Sequence, residues 1–374
     1  MTRAAGAREI LVVAGERSGD GMAASVLERL PYASFGLGGA ALRAAGLEPN
    51  LDLAPLTCMG LGPTLRRAPA FLRAATTLLD WVKARRPGAA LLVGFSEFNG
   101  WLAPRLRARG CPVVWYSPPQ AWAWRPGRAA RLAHAADTLA VLFPFEEPWW
   151  RERGADARYV GHPSFAFADN TATGASAQRG VCILPGSRPD EVRAHLPDLL
   201  AGWRRFASDT HEHRDTAATL VLADSLADDC RGWARALALE HGCDVSSNRE
   251  LEAVLRRSWV ALVASGTATL DCVAAGVPPI IVYRVSALSW RIARRLAQVE
   301  HVGLPNILLE GPCFIELLQA SLAADNVACA LSDVQRRPQH YAALVTRVHA
   351  LFGAQPPDPA GRVAELLDER LTRG

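Results

Sequence analysis

Lysine is nearly missing from this chain. Lys83 stands alone among 41 basic residues, and arginine supplies the rest. The phosphate-loop pattern G-x-x-x-x-G-K-[ST] is absent. Such a bias follows genomic base composition, so arginine abundance by itself carries little functional meaning. The chain also lacks any C-x-x-C pair. Its eight cysteines (Cys58, Cys111, Cys182, Cys230, Cys243, Cys272, Cys313, Cys329) are scattered, most of them in apolar surroundings. That pattern points to buried, reduced thiols in a cytosolic protein. No uninterrupted apolar run reaches transmembrane length, because the richest stretch, Trp259–Tyr283, is broken by Ser, Gly, Thr, Asp and two prolines. No basic-then-apolar signal segment precedes the first strand. A net charge of +4 is too mild for a dedicated nucleic-acid binder. It suits weak attraction to anionic substrates or lipid head groups.

What is present is apolar bulk, half of the residues, enough for a large core. At 374 residues, two domains are the natural expectation. Strands are expected at Glu9–Ala14, Ala89–Gly94, Pro112–Tyr116, Thr138–Phe143 and Ala157–Val160. Helices are expected at Gly21–Leu30, Ala68–Arg85, Leu102–Arg109 and Arg128–Ala135. Alternation of this kind means a parallel, doubly wound α/β sheet. The small, polar segment 166–179 reads as a linker. A second series follows: strands Gly180–Leu184, Thr219–Leu222, Trp259–Val263 and Pro279–Tyr283, with helices Val192–Ser208, Leu226–His241 and Thr267–Ala275. The expected division is therefore 1–165, a linker at 166–179, 180–345, and a helical tail at 346–374 that packs on the first domain or on a partner subunit. Two Rossmann-like domains suggest a ligand cleft between them.

Several strand ends carry chemistry. Ser117–Arg128 places Trp122, Trp124, Arg125 and Arg128 in a proline-rich loop after an apolar strand, where open α/β sheets bind ligands. It reads either as a cleft wall or as a packing loop. Pro185-Gly186-Ser187-Arg188, with Glu191 opening the next helix, reads as a phosphate loop: glycine allows close backbone approach, and arginine offers a planar charged fork. Ser265-Gly266-Thr267 repeats that logic, with Asp271 one helical turn in, placed for ribose hydroxyls. In the first half, Glu16, Ser18 and Asp20 follow a strand, and Asp20 is either a sugar contact or a helix cap. Gly36–Gly39 reads as a second glycine turn. Glu97, after the strand ending at Gly94, is either a general base or a solvated acid. His162 is either a cleft residue or a turn histidine. His211-Glu212-His213 has the look of a metal pair but reads as solvated surface.

Taken in order, these motifs resemble those of the lipid-A-disaccharide synthase family, inverting glycosyltransferases of the GT-B fold. The resemblance runs through Gly15–Asp20, Met59-Gly60, Pro119–Arg128, Val141–Glu146, Val160–Pro163, Leu184–Glu191, Ser265–Leu270, Tyr283–Ser286, Leu304–Leu308 and Glu316–Gln319. It implies transfer of a sugar from UDP-2,3-diacylglucosamine to 2,3-diacylglucosamine 1-phosphate, a lipid monosaccharide phosphate, giving a β-1,6 disaccharide and UDP. It implies no metal or other cofactor and UDP bound in the C-terminal domain. It further implies a cytoplasmic protein, peripheral at the inner face of the inner membrane, and a subunit-exchanged homodimer. Carried over by position, Glu97, Arg188 and Asn306 become catalytic. Ser18, Asp20, Gln120, Arg125, Gly186, Ser187, Ser265, Gly266, Thr267, Asp271, Arg284 and Gln319 become substrate contacts. The chain departs from the pattern at Ser96-Glu97-Phe98-Asn99, where the family runs Asp-Ala-Pro-Asp-Phe-Asn. Asp271 stands where a glutamate is expected, Pro63 replaces a glutamate and Pro118 a serine. A UDP-sugar hydrolase or epimerase, or a non-catalytic binding homologue, would keep the same scaffold. Leu65–Arg73 and Trp81–Arg86 mix apolar and basic residues, as an interfacial segment or as an ordinary sheet-covering helix would.

Overall fold

The computed structural model describes residues 9–15, 17–52, 68–166, 180–208, 216–353 and 358–373. Glu16, Cys58, Met59-Gly60, Pro63, Leu65–Arg67, the linker beyond Ala166 and His211–His213 lie outside them. Two units divide the chain: Met1–Ala166 with Gln355–Gly374, and Phe167–Ala354.

The first unit is a seven-stranded parallel sheet: β1 Glu9–Ala14, β2 Ala33–Gly38, β3 Leu47–Asp52, β4 Ala89–Val93, β5 Val113–Tyr116, β6 Thr138–Val141 and β7 Ala157–Tyr159. Its order is β3-β2-β1-β4-β5-β6-β7. The central strands read as continuous apolar runs because both faces are covered. All of β4 and β5 is buried. Helices Ala68–Arg85 and Ser96–Arg107 supply Leu78, Val82, Phe98, Leu102 and Leu106 to the core on one face, which also holds Trp115 and Trp150. Helices Arg17–Leu27 and Pro359–Arg373 pack together, the latter also on β4 and β5. That final helix is tied down by Arg370, which donates to the Asp137 carbonyl, Thr138 Oγ1 and Asp156 Oδ2. Tyr32 adds a hydroxyl bond to Asp368.

The second unit has six parallel strands: β8 Gly180–Leu184, β9 Ala217–Leu222, β10 Asp244–Ser247, β11 Ser258–Ala264, β12 Pro279–Tyr283 and β13 Glu316–Leu318. Their order is β10-β9-β8-β11-β12-β13. Helix Pro189–Ser208 packs on Ala324–Arg336 at Gly202, where a Cβ would lie 2.4 Å from Val327 Cβ. Cys182 and Cys272 fill the core, and burial pushes the Cys182 thiol up to about 12. Of the seven described cysteines, five are buried as expected, while Cys313 is half-buried and Cys329 exposed.

Four strands were not foreseen: β2, β3, β10 and β13. The expected glycine turn Gly36–Gly39 is instead the end of β2 and the start of the next helix. Gly36 is there for closeness. A Cβ on it would lie 1.8 Å from the Val12 carbonyl oxygen, and its φ is +151°. The expected loop Ser96–Asn99 is the first turn of a helix that runs Ser96–Arg107, not Leu102–Arg109. Gly94 and Phe95 both take positive φ (52° and 49°), which turns the chain within two residues and lets the helix begin at once. Helix Pro338–Phe352 runs through the boundary expected at 345, so the second unit ends later.

Gly36→Ala should destabilise the protein by about 2 kcal/mol or more, since backbone rather than a flexible side chain must yield. Urea denaturation checks this, and a variant of unchanged stability would contradict the close approach.

Candidate active site

A parallel sheet exposes its strand ends, and a ligand binds where the strand order reverses. In the first unit that point lies between β1 and β4, which pair directly. In the second it lies between β8 and β11. The motifs read from the sequence fall on these edges. Gly15–Asp20 follows β1, Gly94–Glu97 follows β4, Pro185–Arg188 follows β8, and Ser265–Thr267 follows β11.

In the first unit the β1 and β4 turns touch. A Cβ on Gly15 would lie 1.8 Å from Phe95 Cγ, so only glycine admits that ring. Phe95 stacks on Phe98 at 5.0 Å. The Gly94 carbonyl accepts from Asn99 Nδ2 (2.9 Å) and Trp115 Nε1 (3.0 Å), which fixes the tight turn. These ties present Glu97 outward, its side chain 72 % exposed. The acid does not stand alone. Arg128 Nη1 donates to Glu97 Oε1 at 2.6 Å, and Arg125 Nη1 reaches the same oxygen at 3.5 Å. The tryptophan loop and the candidate base therefore form one cluster.

That loop is held from behind by a residue the sequence reading did not single out. Glu146 is fully buried. It accepts from Trp122 Nε1 (2.8 Å) and from the backbone N–H groups of Leu142 and Phe143 (3.1 Å each). Trp122 also packs edge-on against Phe145 at 4.9 Å. Burial raises the Glu146 carboxyl from 4.5 to about 7, against the opposing pull of Trp122, Phe143 and Leu142. Gln120 is exposed, and its carbonyl accepts from Ala123 and Trp124. Ser18 is exposed on the first turn of its helix.

Asp20 is a correction: it is only 4 % exposed and caps the helix Ala40–Ala44, accepting from the N–H groups of Gly39, Ala41 and Leu42. All three bonds occupy its carboxylate oxygens within the fold. His162 resolves as a turn residue. It is buried, accepts from the Ser164 N–H at Nδ1, and burial lowers its pKa to about 4.

In the second unit Gly186 (φ 125°) opens the turn after β8, and Ser187 and Arg188 are exposed. Glu191 reaches back to both, accepting from Arg188 Nη1 at 2.5 Å and the Ser187 N–H at 3.3 Å. His195, also missed, joins this turn to the end of β12. The Arg284 N–H donates to Nε2 at 2.9 Å, so Nε2 carries no proton and Nδ1 donates to the Pro185 carbonyl at 2.7 Å. Burial holds the His195 pKa below its ordinary value, in keeping with this neutral tautomer.

Arg284, expected to touch substrate, is instead a clamp. Its guanidinium donates to the carbonyls of Ala194, Gln319 and Leu322 and to Asp198. Asn306, expected in catalysis, is fully buried. It exchanges bonds with Phe314 and donates to Glu316, which accepts from the N–H groups of Val302 and Gly303. The Val302 carbonyl takes the Ser265 hydroxyl at 2.8 Å. Asn306 thus positions the Ser265–Thr267 turn at one remove. Gly266 and Thr267 remain exposed on that turn, with Asp271 half-buried in the following helix. Gln319 Nε2 is buried with no acceptor among the described residues.

Solved structures share this architecture. Staphylococcus aureus MnaA in a UDP co-structure superposes with TM-score 0.61 at 12 % identity, over 96 % of this chain and 94 % of that one. Spinosyn rhamnosyltransferase SpnG complexed with thymidine diphosphate gives 0.56 at 16 %, over 96 % and 99 %. Together with the sheet topology, these likenesses define a two-Rossmann protein of the GT-B fold.

The lipid-A-disaccharide synthetase family profile matches residues 10–347. Lipid-A-disaccharide synthase of Anaeromyxobacter sp. (strain K) is 37 % identical over 375 residues, 96 % of each chain. That of Koribacter versatilis is 34 % identical over 352 residues, 88 % of this chain and 90 % of the relative. The chain belongs to the lipid-A-disaccharide synthase family, and with it to the hexosyltransferases.

The raised Glu146 pKa has a defined sign. Between pH 4.5 and about 7 the folded protein keeps a proton that the unfolded chain releases, so this residue's contribution to stability falls as pH rises through that window. Glutamine offers only one acceptor oxygen, so Glu146→Gln should lower stability by about 1–3 kcal/mol. The native protein's advantage in Tm over this variant should be larger at pH 5 than at pH 7. An advantage that grows with pH would contradict the assignment.

Proposed function

We propose that the chain transfers a 2,3-diacylglucosaminyl group from UDP to the 6-hydroxyl of 2,3-diacylglucosamine 1-phosphate. The products are UDP and a β-1,6-linked disaccharide. The observation that carries this reading is Glu97, an exposed carboxylate at the sheet crossover of the first unit. It is a suitable place for a base to meet a sugar hydroxyl. Glu97 takes the hydroxyl proton as the acceptor O6 forms its bond to the donor anomeric carbon. The bond from that carbon to the diphosphate oxygen breaks, and its electron pair leaves with UDP. Attack from the face opposite UDP inverts the anomeric centre.

The leaving diphosphate falls to the second unit. Arg188 and the backbone N–H groups of the Gly186-Ser187 and Gly266-Thr267 turns supply positive charge and donors without a metal ion, the Ser187 N–H exchanging Glu191 for the ligand. Arg188, paired with Glu191, exchanges that partner for phosphate oxygens as UDP binds. Asp271 serves the ribose, and the unpaired Gln319 amide donates to the donor sugar or diphosphate. His195, Arg284 and Asn306 act as positioning residues behind these groups. Ser18, Gln120 and Arg125 contact the acceptor side.

Peripheral contact with the inner membrane completes the proposal. Among the described residues no helix is long and apolar enough to cross a membrane. Leu72, on the helix Ala68–Arg85, is 62 % exposed, on an element that ends with Lys83 and Arg85.

Native protein should release UDP from the diacylated donor only with acceptor present, and equally well in EDTA. Glu97→Gln should lose at least about 10²-fold in kcat while keeping UDP affinity. Full turnover in that variant would remove Glu97 as base, and UDP release without acceptor would mark a hydrolase. In flotation with anionic vesicles, Leu72→Glu should reduce the bound fraction. Native protein that stays at the bottom of the gradient would remove the membrane reading.

A further inference from the structure

We infer that Arg125 and Arg128 form a subsite for the anomeric phosphate of the acceptor, and that Glu97 occupies this subsite until the acceptor arrives. The inference rests on the transferase reading above and deepens it. Both guanidiniums converge on one carboxylate oxygen, at 2.6 Å for Arg128 and 3.5 Å for Arg125. Two positive charges thus face one negative charge. Arg128 is the more telling of the pair. Its side chain is 15 % exposed, and its Nε is buried with no acceptor among the described residues. A buried, unsatisfied donor on a charged group is costly. A phosphate brings the oxygens that a single shared carboxylate oxygen does not, in the bidentate geometry that suits arginine.

The loop is built to hold these forks in place. Trp122 is fastened to buried Glu146 at 2.8 Å. Arg125 takes a left-handed φ of 54°, immediately before the 3-10 turn Pro126–Arg128. Strained backbone that the surroundings hold fixed is a feature of ligand clamps.

The chemistry of the acceptor demands such a neighbour. In a hexopyranose, C1 and C5 both bond to the ring oxygen. The phosphate on C1 and the C6 hydroxymethyl group on C5 are therefore carried by the two carbons that flank the ring oxygen, at one edge of the ring. A base for that hydroxyl and a clamp for that phosphate must adjoin, and here they touch. On binding, phosphate oxygens take over the arginine donors, and the Glu97 oxygen they leave is free to accept the proton of O6. The charge that recognises the acceptor would thus also unmask the base, so an acceptor without phosphate meets a carboxylate still engaged.

The test compares two acceptors, diacylglucosamine 1-phosphate and its 1-hydroxyl counterpart, in native protein, Arg125→Ala and Arg128→Lys. Arg125 is more than half exposed, so its truncation leaves the fold intact. Native kcat/KM should favour the phosphorylated acceptor by about 10²-fold, the worth of one or two charge-assisted bonds. Arg125→Ala should cut that preference about tenfold by acting mainly on the phosphorylated acceptor, and Arg128→Lys should cut it in part. Loss by the same factor with both acceptors would show that the arginines only orient Glu97, and would overturn the subsite. A second measurement needs no turnover: calorimetric binding of glucosamine 1-phosphate against glucosamine. Preference for the phosphorylated sugar that weakens in Arg125→Ala supports the subsite even if no transfer occurs, in which case only the transferase reading falls. Equal binding of the two sugars to native protein overturns the subsite and leaves the transferase reading standing.

Discussion

A parallel sheet covered by helices on both faces leaves only its strand ends to offer a ligand. Both sheets of this protein obey that constraint, and the chemistry follows from it. Strands β1, β4, β5, β8 and β11 are almost wholly apolar and buried, and within two residues of its carboxyl end each meets glycine or serine. The polar residues that matter are therefore not scattered. They stand in short turns whose backbone direction is set by glycine or positive φ at Gly94, Phe95, Ser117, Arg125, Gly186 and Gly266.

Short turns with exposed charges need anchoring, and the anchors are buried polar groups. Glu146 holds the tryptophan loop, Asn99 and Trp115 hold the Gly94 turn, His195 holds the Pro185–Arg188 turn, and Asn306 with Glu316 holds the segment that receives Ser265. A buried polar group that loses its partner is costly, so each network resists partial rearrangement. The exposed ion pairs of Glu97 and Arg188 have the opposite character. Surface pairs of this kind contribute little to stability, so ligand oxygens can replace their partners at small cost. Rigid anchors therefore stand behind exchangeable charges, the arrangement that the proposed exchange of carboxylate for phosphate would require.

Much of this could be read from the chain. The apolar runs and their alternation with helices gave two doubly wound sheets, and the glycine, serine and arginine clusters marked the turns that lie at the two crossovers. Strands β2, β3, β10 and β13 escaped because they lie toward the sheet edges and lack a sustained apolar run. Gly36 misled for a physical reason: glycine signals a turn and also signals crowding, and only the Val12 carbonyl distinguishes the two. Asp20, Arg284 and Asn306 misled in another way. Each is a polar residue in a ligand-side motif, yet each spends its hydrogen-bonding capacity within the fold, Asp20 on Gly39, Ala41 and Leu42, Arg284 on Ala194 and Asp198, Asn306 on Phe314 and Glu316. His195 gave no signal, and Glu146 gave one only as the last residue of the Val141–Glu146 match, since a histidine within a helix and a glutamate in a first turn are ordinary surface residues by sequence.

The sequence alone determined the class of fold, the positions of the ligand-side turns and the family, because these rest on local periodicity and on short ordered motifs. The tertiary structure decided which polar side chains face outward and which are consumed within. It also joined Glu97 to Arg125 and Arg128, some thirty residues apart in sequence. That pairing has no local cause. It exists because β4 and β5 are neighbours in the sheet and deliver their following turns to the same edge.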